Sequence, residues 1–407
     1  MKSYNLTSCL KPSVLSLAII VLAGCGGGET SAPNAAAGIK TVQFSKTYAA
    51  GRIAGYGSIV INGVHYDETN ATVTDDDGVI HPTSDLMLGM VAEVQASDFG
   101  VVDNSANGAS NQTTATAQVI VIRSLMLGAV TAIDPVASTL TVLGQTVSVP
   151  SSTVFDASLV GGLAAIKVND VVKIYGLLPT ATTGYVATRV EPASNPDAYT
   201  LRGTLTAYDP VTLRVSIGNT MVDVSTAALQ DTLQVGALVR LKLLPAAVNG
   251  IWVAVSEKSG ADQPQDNDHS ELEGSITAFT SAASFSVDGT LVDASKVTLP
   301  ADVILALGTR VQVAGAVVNG VLVATSVSIE SEQNVNNQEF DVDGEVSAID
   351  SAKSTLVIRG TTISFASQVP VTGGTLADIK VGSKLEVHGA LAADGVTVTA
   401  TAIQIDS

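Results

Sequence analysis

The chain has 407 residues, with 38 Asp and Glu against 20 Lys and Arg, for a formal net charge of −18. Such a charge repels phosphate backbones and anionic lipid, which excludes sequence-independent nucleic-acid binding and electrostatic docking on a membrane surface. Hydrophobic residues make up 46% but aromatic residues only 4%, so a core must be built from Val, Ile, Leu and Ala, side chains that suit strands.

The N-terminal segment, residues 1–24, reads as a signal peptide. Lys2 and Lys11 give a positive start, Val14 to Ala23 is a short apolar run, and Leu22-Ala23-Gly24-Cys25 follows. A run of about ten apolar residues is too short to span a bilayer but suits a signal-peptide core. Leu-Ala-Gly-Cys resembles the lipobox of bacterial lipoproteins. That resemblance implies a mature chain beginning at a lipid-bearing Cys25, held to a membrane through that lipid. Gly26, rather than Asp, follows the cysteine, and the resemblance then implies the outer membrane. Residues 25–48 read as a flexible tether, with Gly26 to Gly38 small and polar. Cys9 leaves with the signal, so the mature body holds no free thiol and no disulfide.

Behind the tether a unit of about 70 residues recurs, longer than the usual solenoid periods. It opens with an alternating strand: Gly128-Ala129-Val130-Thr131-Ala132-Ile133-Asp134, then the sequences beginning at Gly203, Gly274 and Gly344. A second strand ends at a turn glycine (Gly144, Gly218, Gly289 or Gly360), and a third follows. After a variable stretch, a fourth strand begins at Val168-Asn169-Asp170, Val235-Gly236-Ala237, Leu307-Gly308-Thr309 or Val381-Gly382-Ser383, and a fifth strand closes the unit. The first copy is divergent, with a hairpin turn at Asn62-Gly63, Leu88-Gly89-Met90 before its fourth strand, and a polar insertion over Asp98 to Thr114 expected to extend a mobile hairpin. The expected units are 49–124, 125–196, 197–260, 271–331 and 342–407, with linkers at 261–270 and 332–341. Connectors rich in Asp, Asn, Gln, Ser and Pro run over Glu191 to Pro196, Gly260 to Ser270 and Ser331 to Gln338. The fold expected is all-β: a tandem array of about five small five-stranded OB-like β-barrels, arranged as an anchored string. An SH3-type barrel or a two-sheet sandwich fits the same periodicity.

The pattern Gly-x-Val-x-x-Ile-Asp, then Thr-Leu-x-Val ending at Gly, then Val-Gly-x-x-Val-x-Val-x-Gly resembles a domain of unknown function repeated in proteobacterial secreted proteins and lipoproteins. Gly55 to Val64 is the closest piece. These are turn and core residues, so the resemblance implies a fold and no reaction.

No nucleophile elbow, zinc-protease helix or phosphate loop occurs. His65, His81, His269 and His388 fall in different units, which disfavours a shared metal. Asp75-Asp76-Asp77-Gly78 could offer oxygen ligands to calcium, but its spacing is not that of a calcium loop, and it reads as a solvated hairpin tip. Asp262, Asp266, Asp268, Glu271 and Glu273 read as a solvated linker cluster. Asp134, Asp209 and Asp350 recur at the end of the first strand, where Asp forms turns. Tyr175, Tyr185 and Tyr199 are the few aromatics that could gather as a carbohydrate platform, and Trp252 reads as core. The expected protein is therefore a non-enzymatic, lipid-anchored envelope scaffold or binding protein without a cofactor. It would bind no nucleic acid, and its partner would be an envelope protein or a glycan. The alternative is a binding module for an extracellular glycan or envelope polymer. An enzyme using the acidic clusters with a divalent metal ranks third.

Overall fold

The computed structural model describes residues 47–102, 112–179, 184–228, 233–260, 264–300, 303–330 and 339–406. The chain divides into two units, Met1–Gln43 and Phe44–Ser407, and all described residues belong to the second. The signal segment, Cys25 and the linker 331–338 lie outside the described residues.

The repeat is clearest in the second barrel. Its first strand, Met126–Asp134, pairs antiparallel with Thr139–Val142 on one side and with Val171–Leu177 on the other. Thr139–Val142 turns back into Gln145–Ser148. The fifth strand, Tyr185–Pro192, lies antiparallel to the fourth and parallel to the third, so the sheet closes on itself. Closure removes the free edges that an open sandwich would leave, and the order first–second–third–fifth–fourth–first is OB-like. The same pairings recur from Tyr199 to Ser259, from Asn267 to Ile329 and from Glu339 to Ile405. In the first barrel, Thr47–Arg52 and Gly55–Tyr56 form the first strand. Ile59–Ile61, Val64–Asp67, Val91–Ala96 and Gln112–Arg123 follow.

The local chemistry explains the motif. In Thr139–Val142, Leu140 and Val142 point inward and the threonines outward, the two-residue period of a half-buried strand. Leu143 and Gly144 both take left-handed backbone (φ 52° and 75°), as the tight hairpin turn requires. The glycine ending the fourth-strand motif (Gly176, Gly315 or Gly389) sits at a register shift against the fifth strand. A Cβ there would press into the carbonyl oxygens of Val186, Val323 or Thr399, so a larger residue would force closure apart.

Three expectations about spacing change. Strand structure begins at Thr47, inside the expected tether. Asn267 to Ser270 belong to the long strand Asn267–Ser281, not to a linker. Glu191 and Pro192 end a strand, and Glu339 begins one. Pairing supplies the reason: Thr47 to Ala50 run parallel to His269 to Leu272 of the fourth barrel, while Asn267, Glu191, Pro192 and Glu339 find partners in Val317, Lys173, Val172 and Ala390 of their own barrels. Polar linker residues become strand once a partner strand supplies their hydrogen bonds. The insertion's ends also pair, Gly100 opposite Thr114, while residues 103–111 lie outside the described residues.

The barrels are therefore not beads on a string. Strands of the first, fourth and fifth barrels join in a 20-stranded sheet, and those of the second and third in an 11-stranded one. Gly55 and Tyr56 pair parallel with Asp341 and Val342 of the fifth barrel. One buried cluster unites the first and fifth barrels with Val154 and Tyr175 of the second. Another unites the second and third, and Tyr48 and Ala50 of the first barrel complete the core of the fourth.

Candidate functional site

The acidic run lies in the connection between the third and fourth strands of the first barrel, at the tip of the hairpin Thr72–Asp75/Ile80–His81. Asp75 curls the turn: its Oδ1 accepts the backbone N–H of Asp77 at 2.9 Å and of Val79 at 3.0 Å. The turn presents Asp76 and Asp77 to the third barrel. The Asp76 carboxylate is 7% exposed, 2.6 Å from Arg202 Nη2, 3.3 Å from Arg123 Nη1 and 3.6 Å from Arg240 Nε. Asp77 lies 2.9 Å from both Arg240 Nη1 and Lys242 Nζ. The solvated-tip expectation is thus overturned: Asp76 is a buried anion among three guanidinium groups. Glu93 shares the load on Arg123, 2.8 Å from its Nη2.

The electrostatics follow from this seat. Burial alone would raise the Asp76 carboxyl, but Arg202 and Arg123 outweigh it and hold the group below the usual carboxylate range. Asp77, opposed by the same burial, is brought down to about 2 by its bonds to Arg240 and Lys242. Both carboxylates are already neutralised by protein cations, which repel a metal ion. Among the described residues, no three His, Cys, Asp or Glu side chains are grouped to hold one.

A second charged seam joins the first and fifth barrels. Glu68, its side chain 4% exposed, accepts the N–H of Ile59 at 3.1 Å and meets Arg359 Nη1 at 3.1 Å. Arg359 sits in a left-handed turn position (φ 48°) and lies over the Tyr56 ring. Nearby, Gly57 packs on Asp343. Burial, then Asp406 and Glu386, push the Asp343 carboxyl up to about 6. His388 bonds to Asp341, the main cause of its raised pKa, and lies 3.7 Å from Glu386.

The remaining candidates fall in separate places. His65 meets Ser58, His81 meets Asp75 and Asp85, and His269 stacks on Phe99. Asp134, Asp209 and Asp350 each accept two backbone N–H groups two and three residues on, so their recurrence is turn chemistry. Of the linker acids, Asp262 lies outside the described residues, Asp266 accepts the N–H of Gly320, and Glu271 and Glu273 are half-buried in a strand. Tyr175, Tyr185 and Tyr199 are buried, so the expected aromatic platform does not form. Trp252 is partly buried against Tyr199.

Between the second, third and fourth barrels lies a cleft of about 440 Å³. Thr146, Thr204, Thr206, Asn219, Ile276 and Leu307 line it, and no charged side chain does. Sequence reading missed both this cleft and the Asp76 seat. A usable signal for the seat was Arg202 and Arg240 in mid-strand among apolar neighbours, since a buried cation demands a partner.

Comparison with known proteins places a domain of unknown function (DUF5666) on residues 128–191, 273–328 and 343–404, within the second, fourth and fifth barrels. No curated protein matches the chain. The solved structure of drosophila Unr CSD456 is 14% identical over 53% of this chain and 99% of its own, with a TM-score of 0.14. At that score the likeness carries no argument.

Proposed function

We propose that this chain is a lipid-anchored cell-envelope protein without catalytic activity, whose barrels act together as one rigid presenting body. The observation that carries the reading is the cross-barrel pairing of Thr47 to Ala50 with His269 to Leu272, which ties the segment nearest the Cys25 tether directly into the fourth barrel. A load on the lipid would then pass into the body and not into a single terminal barrel. The expected anchor is the Cys25 thiol. No helix among the described residues is long and apolar enough to cross a membrane. Fractionation tests the reading: Cys25→Ser should move the protein from membranes to soluble material. A wild-type chain that is soluble and keeps residues 1–24 would end it.

A second reading, a binding module for an uncharged envelope glycan or polymer, is favoured by the cleft. Its volume falls within the range of small-ligand sites. Thr146, Thr204 and Asn219 place uncharged polar side chains on its lining. A screen of neutral and acidic oligosaccharides against the wild type and Thr204→Trp tests it. Binding of neutral sugars lost in that variant supports the reading, and no binding to any sugar counts against it.

A further inference from the structure

Each barrel enters its fourth strand through the same four-residue turn. The closing backbone bonds run from Met90 to Met87, Asp170 to Lys167, Ala237 to Gln234, Thr309 to Ala306 and Ser383 to Lys380. The third turn residue is left-handed in every copy: Gly89 (φ 80°), Asn169 (76°), Gly236 (91°), Gly308 (79°) and Gly382 (87°). That backbone calls for glycine or asparagine at the third position and places no apolar demand on the second. Yet the second position is Leu88, Val168, Val235, Leu307 and Val381.

The first copy shows what this side chain does when it meets a partner. Leu88 is 2% exposed and joins a cluster with Val154 and Tyr175 of the second barrel. The Thr188 hydroxyl of that barrel donates to the Gly89 carbonyl at 2.6 Å, and Arg189 Nη1 donates to the Leu88 carbonyl at 3.1 Å. A Cβ on Gly89 would lie 2.5 Å from the Thr188 carbonyl oxygen. The turns of the third and fifth barrels are bare by the same measures. Val235 and Val381 are each 63% exposed, and nothing lies within 4 Å of where Gly236 or Gly382 would carry a Cβ.

One element of the receiving surface, its threonine, also recurs, while the position of Arg189 is taken by Ser326 or Ala402. Thr188 follows Ala187, which faces the bulge glycine Gly176. Thr325 follows Ala324 opposite Gly315, and Thr401 follows Ala400 opposite Gly389. Thr188 is buried under the docked turn, whereas Thr325 and Thr401 are exposed, their hydroxyls turned to their own barrels. A hydroxyl can rotate to donate elsewhere.

We infer that the bare turns Val235-Gly236 and Val381-Gly382 dock on the fifth strands bearing Thr325 and Thr401 in a second copy of this chain, repeating between molecules the contact that Leu88-Gly89 makes within one. The fifth barrel carries both a turn and a receiving strand. The contact is therefore head-to-tail, and such contacts build rings or filaments.

Sedimentation velocity of the full chain over a concentration series tests this. Wild type should associate as concentration rises, and V235S/V381S should sediment as single chains with an unchanged melting temperature. A wild type that stays monomeric throughout overturns the inference, and so does association that survives in the double variant. Disulfide trapping identifies the surface. In a mixture of separately tagged copies, V381C should cross-link to T401C more than V136C does; equal yields would overturn the assignment.

Discussion

The first barrel and the four that follow share one strand order but use their connections differently. In the later barrels the first-strand turns end in water, with Val136 and Val211 almost fully exposed beside Asp134 and Asp209. In the first barrel the connections reach neighbours: Asp76 enters the third barrel, Leu88 the second and Glu68 the fifth, while its first strand pairs with the fourth through Thr47 to Ala50. The regular copies also meet one another, as where Gln145 Nε2 donates to the Ile217 carbonyl and the Phe155 N–H to the Gly395 carbonyl, but the irregular copy departs from the repeat at the places where it reaches its neighbours. Divergence from a repeat is thus informative in itself, because residues that need not serve closure are available for contact.

Removing Asp76 should produce the largest effect. Asp76→Ala leaves Arg202, Arg123 and Arg240 facing one another with one anion fewer, and breaking a buried pair costs about 3–5 kcal/mol. Urea unfolding should show that loss. A cost no larger than that of an exposed turn residue would mean that the seat does not join the barrels.

Gly89→Ala against Gly382→Ala isolates docking from backbone strain. Both glycines have positive φ, so both variants bear the strain of a left-handed alanine. Only Gly89 faces a backbone oxygen, and the overpacking should add about 1–3 kcal/mol in that variant alone. Equal thermal shifts would erase the distinction between the docked turn and the bare one. Asp134→Ala should be milder, about 1 kcal/mol for the lost turn bonds, and should leave the contacts between barrels intact by hydrogen exchange.

The smallest effects concern pH, because Asp77 and Asp343 are partly solvent-screened. Asp77 is depressed to about 2, so its contribution is present above the ordinary carboxylate value and is lost as pH falls toward 2. Asp343 is raised to about 6, so its contribution is present below the ordinary carboxylate value and is lost as pH rises through 6. The raised pKa of His388 adds loss in the same upward direction. The two seams should therefore loosen at opposite ends of the scale. Asp343→Asn should flatten the change near pH 6 in a melting-temperature series and leave the acid limb unchanged. A D343N profile that overlays the wild type would show that the seam does not sense pH.

Much of the barrel is legible in the sequence because its determinants are local. Leu140 and Val142 alternate with threonines, Leu143-Gly144 turns, and Gly176 marks the closure point. The seams are not legible because their partners are far apart in the chain and ordinary in type. Asp-Asp-Asp-Gly has the composition of a solvated tip, and only the position of Arg202, between Leu201 and Gly203 in a buried strand, hints at a missing anion. The polar residues Asn267 to Ser270 have the composition of a linker, and partners distant in sequence make them strand: Val317 for Asn267, and Thr47 and Tyr48 of the first barrel for His269 and Ser270.

The pairing of Tyr48 with Ser270 has a consequence for how the molecule is made. A chain synthesised from its N-terminus exposes the outer edge of the first barrel long before its partner exists; Asn62 and Glu271, bonded across the same seam, are 209 residues apart. Contacts of such separation slow folding, and an unpaired edge is a template for pairing with the wrong strand. The first barrel must therefore wait, and interruption of synthesis before the fourth barrel would leave a fragment with an open edge and a half-built core around Tyr48 and Ala50.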